Sequence, residues 1–187
     1  LSKYIKNVML AARSSAELTS QLLAFARKGK HFSEPVDIHD TIDEVITMLN
    51  RSIDKKILID KELTAEISIT FGDPTQIQNA LLNLALNARD AMPNGGSIKI
   101  TSRNLAISKN DCRDSLCSVE EGTYIEVSVS DTGTGISNEI IEQIFDPFFT
   151  TKPAGKGTGM GLASVYGTIK NHKGTIEVKS IIGEGST

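Results

Sequence analysis

A mixed α/β domain preceded by one long helix is the fold that this 187-residue sequence predicts. Three observations carry that reading. The first 28 residues contain neither Gly nor Pro and repeat apolar residues at helical spacing. From residue 37 onward, apolar patterns switch between helical and strand periods. One stretch, Asp73–Met92, combines helix-start signals with a narrow polar strip on an otherwise apolar helix. With 39% hydrophobic residues, the chain holds one sizeable core plus an appendage.

Composition excludes several classes. No apolar run reaches the roughly 18–20 residues of a membrane span, and Leu1 opens no signal pattern, so the expectation is a soluble, cytoplasmic fragment. Cys112 and Cys117 lie in a polar loop without zinc-ligand spacing and read as surface thiols in a reducing cytosol. The net charge of −3 is uneven: residues 1–36 carry six Lys/Arg against two Glu, and the remainder is acidic. That asymmetry places a boundary near residue 36. Neither part is basic or aromatic enough for nucleic acid.

Element by element, the first helix runs from Leu1 to about Lys28. Ile5, Met9, Ala12, Ala16, Thr19, Leu23 and Ala26 form one seam, and Val8, Ala11, Ser15, Leu18, Leu22 and Phe25 form a second beside it. The apolar face therefore has the width of a four-helix bundle. Gly29 ends the helix, and Arg27, Lys28 and Lys30 suit its C-terminus. The expected organisation is a truncated helical hairpin over 1–30, dimeric in the parent protein, a linker over 31–36 and the α/β domain over 37–187.

Within that domain, Ile42, Val45, Ile46 and Leu49 recur at helical spacing, and Ile57/Ile59 and Ile67/Ile69/Phe71 alternate as strands. The central helix follows. Asp73 caps it, Pro74 suits its first position and Gln76 completes a capping-box pattern. Ile77, Leu81, Leu84 and Ala88 share one face, and Leu82 and Leu86 keep the opposite side apolar. Gln76, Asn79, Asn83, Asn87 and Asp90 line up as the strip. Read alone, that strip fits a solvent-facing surface and a ligand-binding one equally well. After the turn Pro93–Gly96, strands are predicted over 97–101 and 123–130, separated by a polar loop.

Ile125, Val127 and Val129 share their parity with Asp131, which places that carboxylate on the buried side. Its loop, DTGTGI, contains Gly133 and Gly135, which let another molecule approach the backbone; a capping Asp ahead of a helix over 137–144 is the alternative. Phe145–Thr158 reads as a long irregular lid. No acidic residue stands between Pro147 and Ile176, whereas Lys152, Lys156, Lys170 and Lys173 do, which marks a place for an anion. Gly157, Gly159 and Gly161 lead into a helix whose apolar face is Leu162, Val165, Tyr166 and Ile169. Free N–H groups at such a start favour phosphate, although glycines alone also fit a hinge. A last strand is predicted over 174–180.

Five stretches, NLALNARDAM with Asn83 and Asn87, DTGTGI, FDPFFTTK, GKGTGMGL and GEGST, stand in the order and spacing of the N, G1, F, G2 and G3 boxes. The chain thus resembles the catalytic ATP-binding domain of bacterial sensor histidine kinases along its whole length, with the first helix similar to the second helix of their phosphotransfer hairpin. The resemblance implies a two-layer Bergerat sandwich, a mixed sheet with three helices on one face. It also implies ATP and Mg²⁺ as ligands, an acceptor histidine on a helix absent from this chain, a response-regulator receiver domain as partner and a homodimeric parent.

Site residues follow from the same resemblance. Asp131 would accept a hydrogen bond from the adenine amino group, Asn87 would bind Mg²⁺, and Asn83 would assist it one turn earlier. Gly133 and Gly135 would shape the adenine wall, Gly157, Gly159 and Gly161 would cradle phosphates, and Ile136, Thr158, Met160 and Leu162 would be further nucleotide-binding positions. Lys152 and Thr151 on the lid, Asp90 and Thr187 complete the nucleotide contacts, with Phe145 also a lid anchor. Relatives often carry Lys where this chain has Asp90, so Lys152 or Lys156 is the expected substitute cation. His31, His39 and His172 are expected to be structural or solvated. Asn83, Asn87 and Lys152 would act in phosphoryl transfer by positioning and charge neutralisation. An ATP hydrolase of the same fold would want Glu at position 83; a nucleotide-sensing pseudokinase is the other alternative.

Overall fold

The computed structural model describes residues 33–108, 119–153 and 157–187. The long helix expected over 1–28, His31, both cysteines and Lys156 lie outside them. The elements are β1 (Glu34–Asp37), α1 (Ile38–Ser52), β2 (Ile57–Leu63), β3 (Ile69–Gly72), α2 (Pro74–Asp90), β4 (Gly96–Ile107), β5 (Gly122–Asp131), α3 (Gly161–Asn171), β6 (Ser180–Ile181) and β7 (Gly185–Ser186).

Five strands form a mixed sheet in the order β2-β4-β5-β7-β6, and β1 pairs with β3 in a separate ribbon. Only the β2–β4 pair is parallel; the others run antiparallel. Period-2 alternation sends Ile98, Ile100 and Ser102 of β4 inward. Against that face pack Ile38, Ile42, Val45 and Leu49 of α1 and Leu81, Ala85 and Ala88 of α2. The result is the two-layer sandwich with three α-helices among the described residues.

Both long helices start as their sequences dictate. Asp37 caps α1 by accepting from the N–H groups of His39 and Asp40, and Ser68 Oγ donates to its second oxygen at 2.9 Å. Asp73 caps α2 by accepting from Gln76 N–H at 3.1 Å. The capping box closes differently from expectation, because Gln76 Nε2 donates to Asp73 Oδ2 while the Asp73 N–H donates to His172 Nε2 at 2.9 Å. An accepting Nε2 leaves the ring proton on Nδ1, which bonds the Thr168 carbonyl at 2.7 Å. This imidazole therefore ties the end of α3 to the start of α2. His39 is likewise structural, bonded through Nε2 to the buried Ser102 Oγ at 2.8 Å.

A Cβ on Gly72 would lie 2.6 Å from His172 Nε2 and 2.9 Å from Ile77 Cδ1. Gly72→Ala is expected to displace the imidazole and cost about 1–3 kcal/mol, read as a lower urea midpoint. A wild-type midpoint would show that this link contributes nothing.

Several sequence expectations are corrected. Residues 34–36, assigned to a linker, belong to β1; its Glu-Pro-Val-Asp carries no alternation, and its pairing comes from β3. Strand β4 extends to Ile107 rather than Thr101, because β5 continues opposite it to Gly122. No α-helix forms over 137–144. Instead, turns are closed by Ile140 N–H to Ser137 O, Gln143 N–H to Ile140 O and Asp146 N–H to Gln143 O. A segment this short cannot offset helix nucleation, and β-branched Ile140 and Ile141 propagate a helix poorly. The last strand shrinks from 174–180 to Ser180–Ile181, since its partner β7 is two residues long. In α3 the buried residues are Ala163, Val165 and Thr168; Tyr166 instead lies against Phe145, ring centroids 5.6 Å apart.

Candidate active site

Helix α2 organises the site. Asn83 and Asn87 lie one turn apart and half-buried on its polar strip, and Asp90 closes the helix. Helix α3 runs antiparallel to α2: His172 reaches Asp73 at one end, and Gly161 faces the two asparagines at the other. A Cβ on Gly161 would still be 3.8 Å from Asn83 Oδ1 and from Asn87 Nδ2. Of the glycines expected to face a nucleotide, Gly161 is the one with this open approach. The N-cap of α3, Met160, supplies no side-chain hydrogen bond, and the start of α3, where N–H groups carry partial positive charge, lies beside Asn83 and Asn87.

The other glycines expected to face a nucleotide lie close against the protein's own atoms. A Cβ on Gly133 would lie 2.7 Å from Ala91 Cβ, and one on Gly135 would lie 2.7 Å from the Ile181 carbonyl carbon. Gly157 packs on Thr150 and Lys152. Gly159, at φ +68°, crosses Phe148 so closely that a Cβ would meet the Phe148 carbonyl oxygen at 2.5 Å. Phe148 N–H donates to Gly159 O at 2.9 Å, with Phe148 itself at φ 70°. This pair brings Phe148 and Gly159 together within and beside the segment 145–158 expected to form a lid.

The lid's cation reaches the strip. Lys152 Nζ donates to Asn87 Oδ1 at 3.2 Å and to Asp90 Oδ2 at 2.6 Å. Arg89 holds the other carboxylate oxygen, Asp90 Oδ1, through Nε at 2.8 Å and Nη2 at 2.6 Å. Burial pushes Asp90 up, yet the hydrogen bonds and charges of Lys152 and Arg89 outweigh it and hold the carboxyl below its ordinary value. A cavity of about 550 Å³ opens beside this cluster, lined by Asp54, Ile57, Met92, Pro93 and Pro153 as well as Arg89, Asp90 and Lys152.

Asp131 stands at the C-terminal end of α2, where Thr134 N–H donates to the Ala91 carbonyl. Helical rise puts Ala91 about 12 Å from Asn83 along the axis. The half-buried Asp131 carboxylate accepts from Gly133 N–H at 2.7 Å and from the Ser186 backbone. Burial raises its pKa more than these bonds lower it. Ile136 N–H donates to Ser180 Oγ at 2.8 Å, and Thr187 Oγ1 donates to Ser130 Oγ at 3.0 Å. Asn83, Asn87, Lys152 and Gly161 thus meet along the polar strip of α2, Asp90 closes that strip at the C-terminal end of the helix, and Asp131, Gly133 and Ser186 stand beside that same end. Phe145 packs on Tyr166, and Thr151 is exposed on the lid. Ala91 and Ser180 were not singled out by sequence; Ala91 lies inside the asparagine motif, whereas nothing local marks Ser180.

Residues 72–187 match the family described as histidine kinase-, DNA gyrase B-, and HSP90-like ATPase. The chain is 30% identical to the catalytic domain of histidine kinase ThkA, covering 82% of this chain and 90% of that one at a TM-score of 0.65. The chain belongs to the histidine kinase catalytic domains of this family. It is also 40% identical over 98% of its length to sensor kinase CckA of Brucella abortus (strain 2308), and 31% identical over 91% to sensor histidine kinase ZraS of Escherichia coli (strain K12). It spans 19% and 33% of those two proteins.

In this histidine kinase domain the residues present fit a hydrated divalent cation. Asn87 Oδ1 already accepts from a cation, the Lys152 ammonium. Among the described residues no group of three His, Cys, Asp or Glu could hold a metal, so an ion here would rest on amide oxygen, phosphate and water, as Mg²⁺ does. No helix among the described residues is long and apolar enough to cross a membrane.

Proposed function

We propose that this domain binds Mg-ATP along α2 and transfers its γ-phosphoryl group to a histidine on a phosphotransfer helix, for relay to a response-regulator receiver domain. The observation that carries the reading is the run of polar groups along α2, from Asn83 and Asn87 to its C-terminal end, beside which Asp131 stands. Asn87, Lys152 and the start of α3 supply amide oxygen, ammonium and N–H groups for the phosphate end, and the half-buried Asp131 supplies an acceptor for an adenine amine.

Each part has a chemical task. Asp131 accepts from the adenine amino group and rejects guanine, which presents a carbonyl there. Asn87, with Asn83 beside it, would hold Mg²⁺, which would neutralise phosphate charge. Lys152 carries a further positive charge on a lid that closes over the triphosphate. The incoming imidazole brings its own lone pair: its nitrogen bonds to γ-phosphorus as the bond to the bridging oxygen breaks, the electron pair leaves on ADP, and the ring proton passes to solvent. No general base is required. Asn83 can take no proton, which favours transfer over hydrolysis, where a base is typically worth about 10²–10⁴-fold. Residues 1–30, by their sequence pattern, are read as part of the hairpin of a homodimeric, cytoplasmic kinase portion. ThkA has been solved in complex with response regulator TrrA, which supports a receiver domain as partner.

Incubation with γ-labelled ATP, Mg²⁺ and a supplied acceptor hairpin tests this. Acid-labile, base-stable label is expected on the hairpin and none on this chain alone. Rapid phosphate release without transfer would establish a hydrolase instead.

A further inference from the structure

Asp90 stands where its charge does α2 no service. It is the last residue of the helix, facing the negative end of the dipole, where cations are favoured and carboxylates are not. Its partners account for it. Arg89 grips Oδ1 with two donors and so aims Oδ2 across the site at the lid, where Lys152 meets it at 2.6 Å. The same ammonium reaches Asn87 Oδ1. Two of its three donors are thereby engaged on α2, and the third remains for another acceptor.

Building on the nucleotide site proposed above, we infer that Asp90 is a positioning residue: it draws the lid lysine onto α2 beside Asn87, so that the cation for the phosphates is delivered by the lid rather than by the helix. A lysine on a flexible four-carbon stem loses much rotamer freedom when it binds a phosphate. Held by Asp90, Lys152 has lost it already, and the lid arrives with it. Arg89 offsets the negative charge that Asp90 would otherwise present to a triphosphate, leaving the Arg89–Asp90–Lys152 cluster at net +1. Asp90 thus acts through Lys152 and makes no nucleotide contact itself.

Calorimetric titration with Mg²⁺ and a non-hydrolysable ATP analogue tests this on wild type, Asp90→Asn, Lys152→Met and the double variant. Each single change is expected to weaken binding about five- to ten-fold, and the double no more than either single, because both remove one delivered charge. Asp90→Glu should restore affinity to within about two-fold of wild type, since the longer carboxylate can still hold the ammonium. Thermal midpoints should fall only slightly, as the loss of a partly exposed ion pair predicts, while affinity falls several-fold, which separates positioning from a structural role. Additive losses, or tighter binding by Asp90→Asn, would overturn the inference; the latter would mean that the carboxylate competes with phosphate for Lys152. Asn87→Ala provides the separate control. If it leaves binding intact, the nucleotide-site reading fails and this inference with it. If it abolishes binding while Asp90→Asn is neutral, this inference alone fails.

Discussion

Asp131→Asn is expected to weaken Mg-ATP binding by roughly 100-fold while making the domain more stable at neutral pH. Asp131 accepts from Gly133 N–H and the Ser186 backbone, and the proposed adenine amine is a further donor. An amide offers one accepting oxygen and one donating nitrogen, so any orientation sets its NH₂ against a donor. The stability change has the opposite sign because burial raises the Asp131 pKa. A carboxyl whose folded pKa is raised favours folding in its protonated form. Its penalty is absent below the ordinary Asp value of about 3.9 and grows as pH rises through the folded value. The gap between variant and wild-type thermal midpoints should therefore be small near pH 3 and reach a plateau toward pH 7. Equal midpoints at both pH values, or unchanged ATP affinity, would show that this carboxylate is neither strained nor base-reading.

Gly185→Ala is expected to cost more than about 4 kcal/mol and leave the domain largely unfolded. Gly185 has φ +118°, a region that side chains rarely adopt, and a Cβ there would lie 2.8 Å from the Asp131 carbonyl carbon and 3.0 Å from Thr132 Cα, with the Asp131 carbonyl oxygen closer still. Every atom it meets is backbone, so no rotamer change relieves it. The only escape separates β7 from β5, whose pairing brings Ser186 opposite Asp131; Ser180 Oγ also loses its bond to the Gly185 carbonyl. Urea unfolding measures this. A wild-type midpoint would mean that the sheet edge yields without cost.

Much of the site was legible because its signals are local. Asn83, Asn87 and Asp90 share one helix face by their spacing, and Asp73 and Pro74 mark that helix's start, so their alignment needed no tertiary information. The parity of β5 likewise predicted a partly buried Asp131. The partner of Lys152 was not legible, because that contact joins residues 62 positions apart. Nor was the work of the glycines: Gly133, Gly135 and Gly159 read as room for a ligand, yet each fills a crossing of the protein's own chain.

The sequence by itself determined the order of helices and strands from residue 37, the capped central helix and the residue types arrayed along it, since periodicity and capping act over a few residues. Tertiary structure alone decided that β1 forms, that β4 continues to Ile107, that 137–144 stays a series of turns and that β6 is two residues long. A strand exists only where a neighbour offers hydrogen bonds, and a short helix survives only where packing offsets its nucleation. It decided, too, that Asp90 meets Lys152, because that contact joins distant parts of the chain and no local rule brings them together.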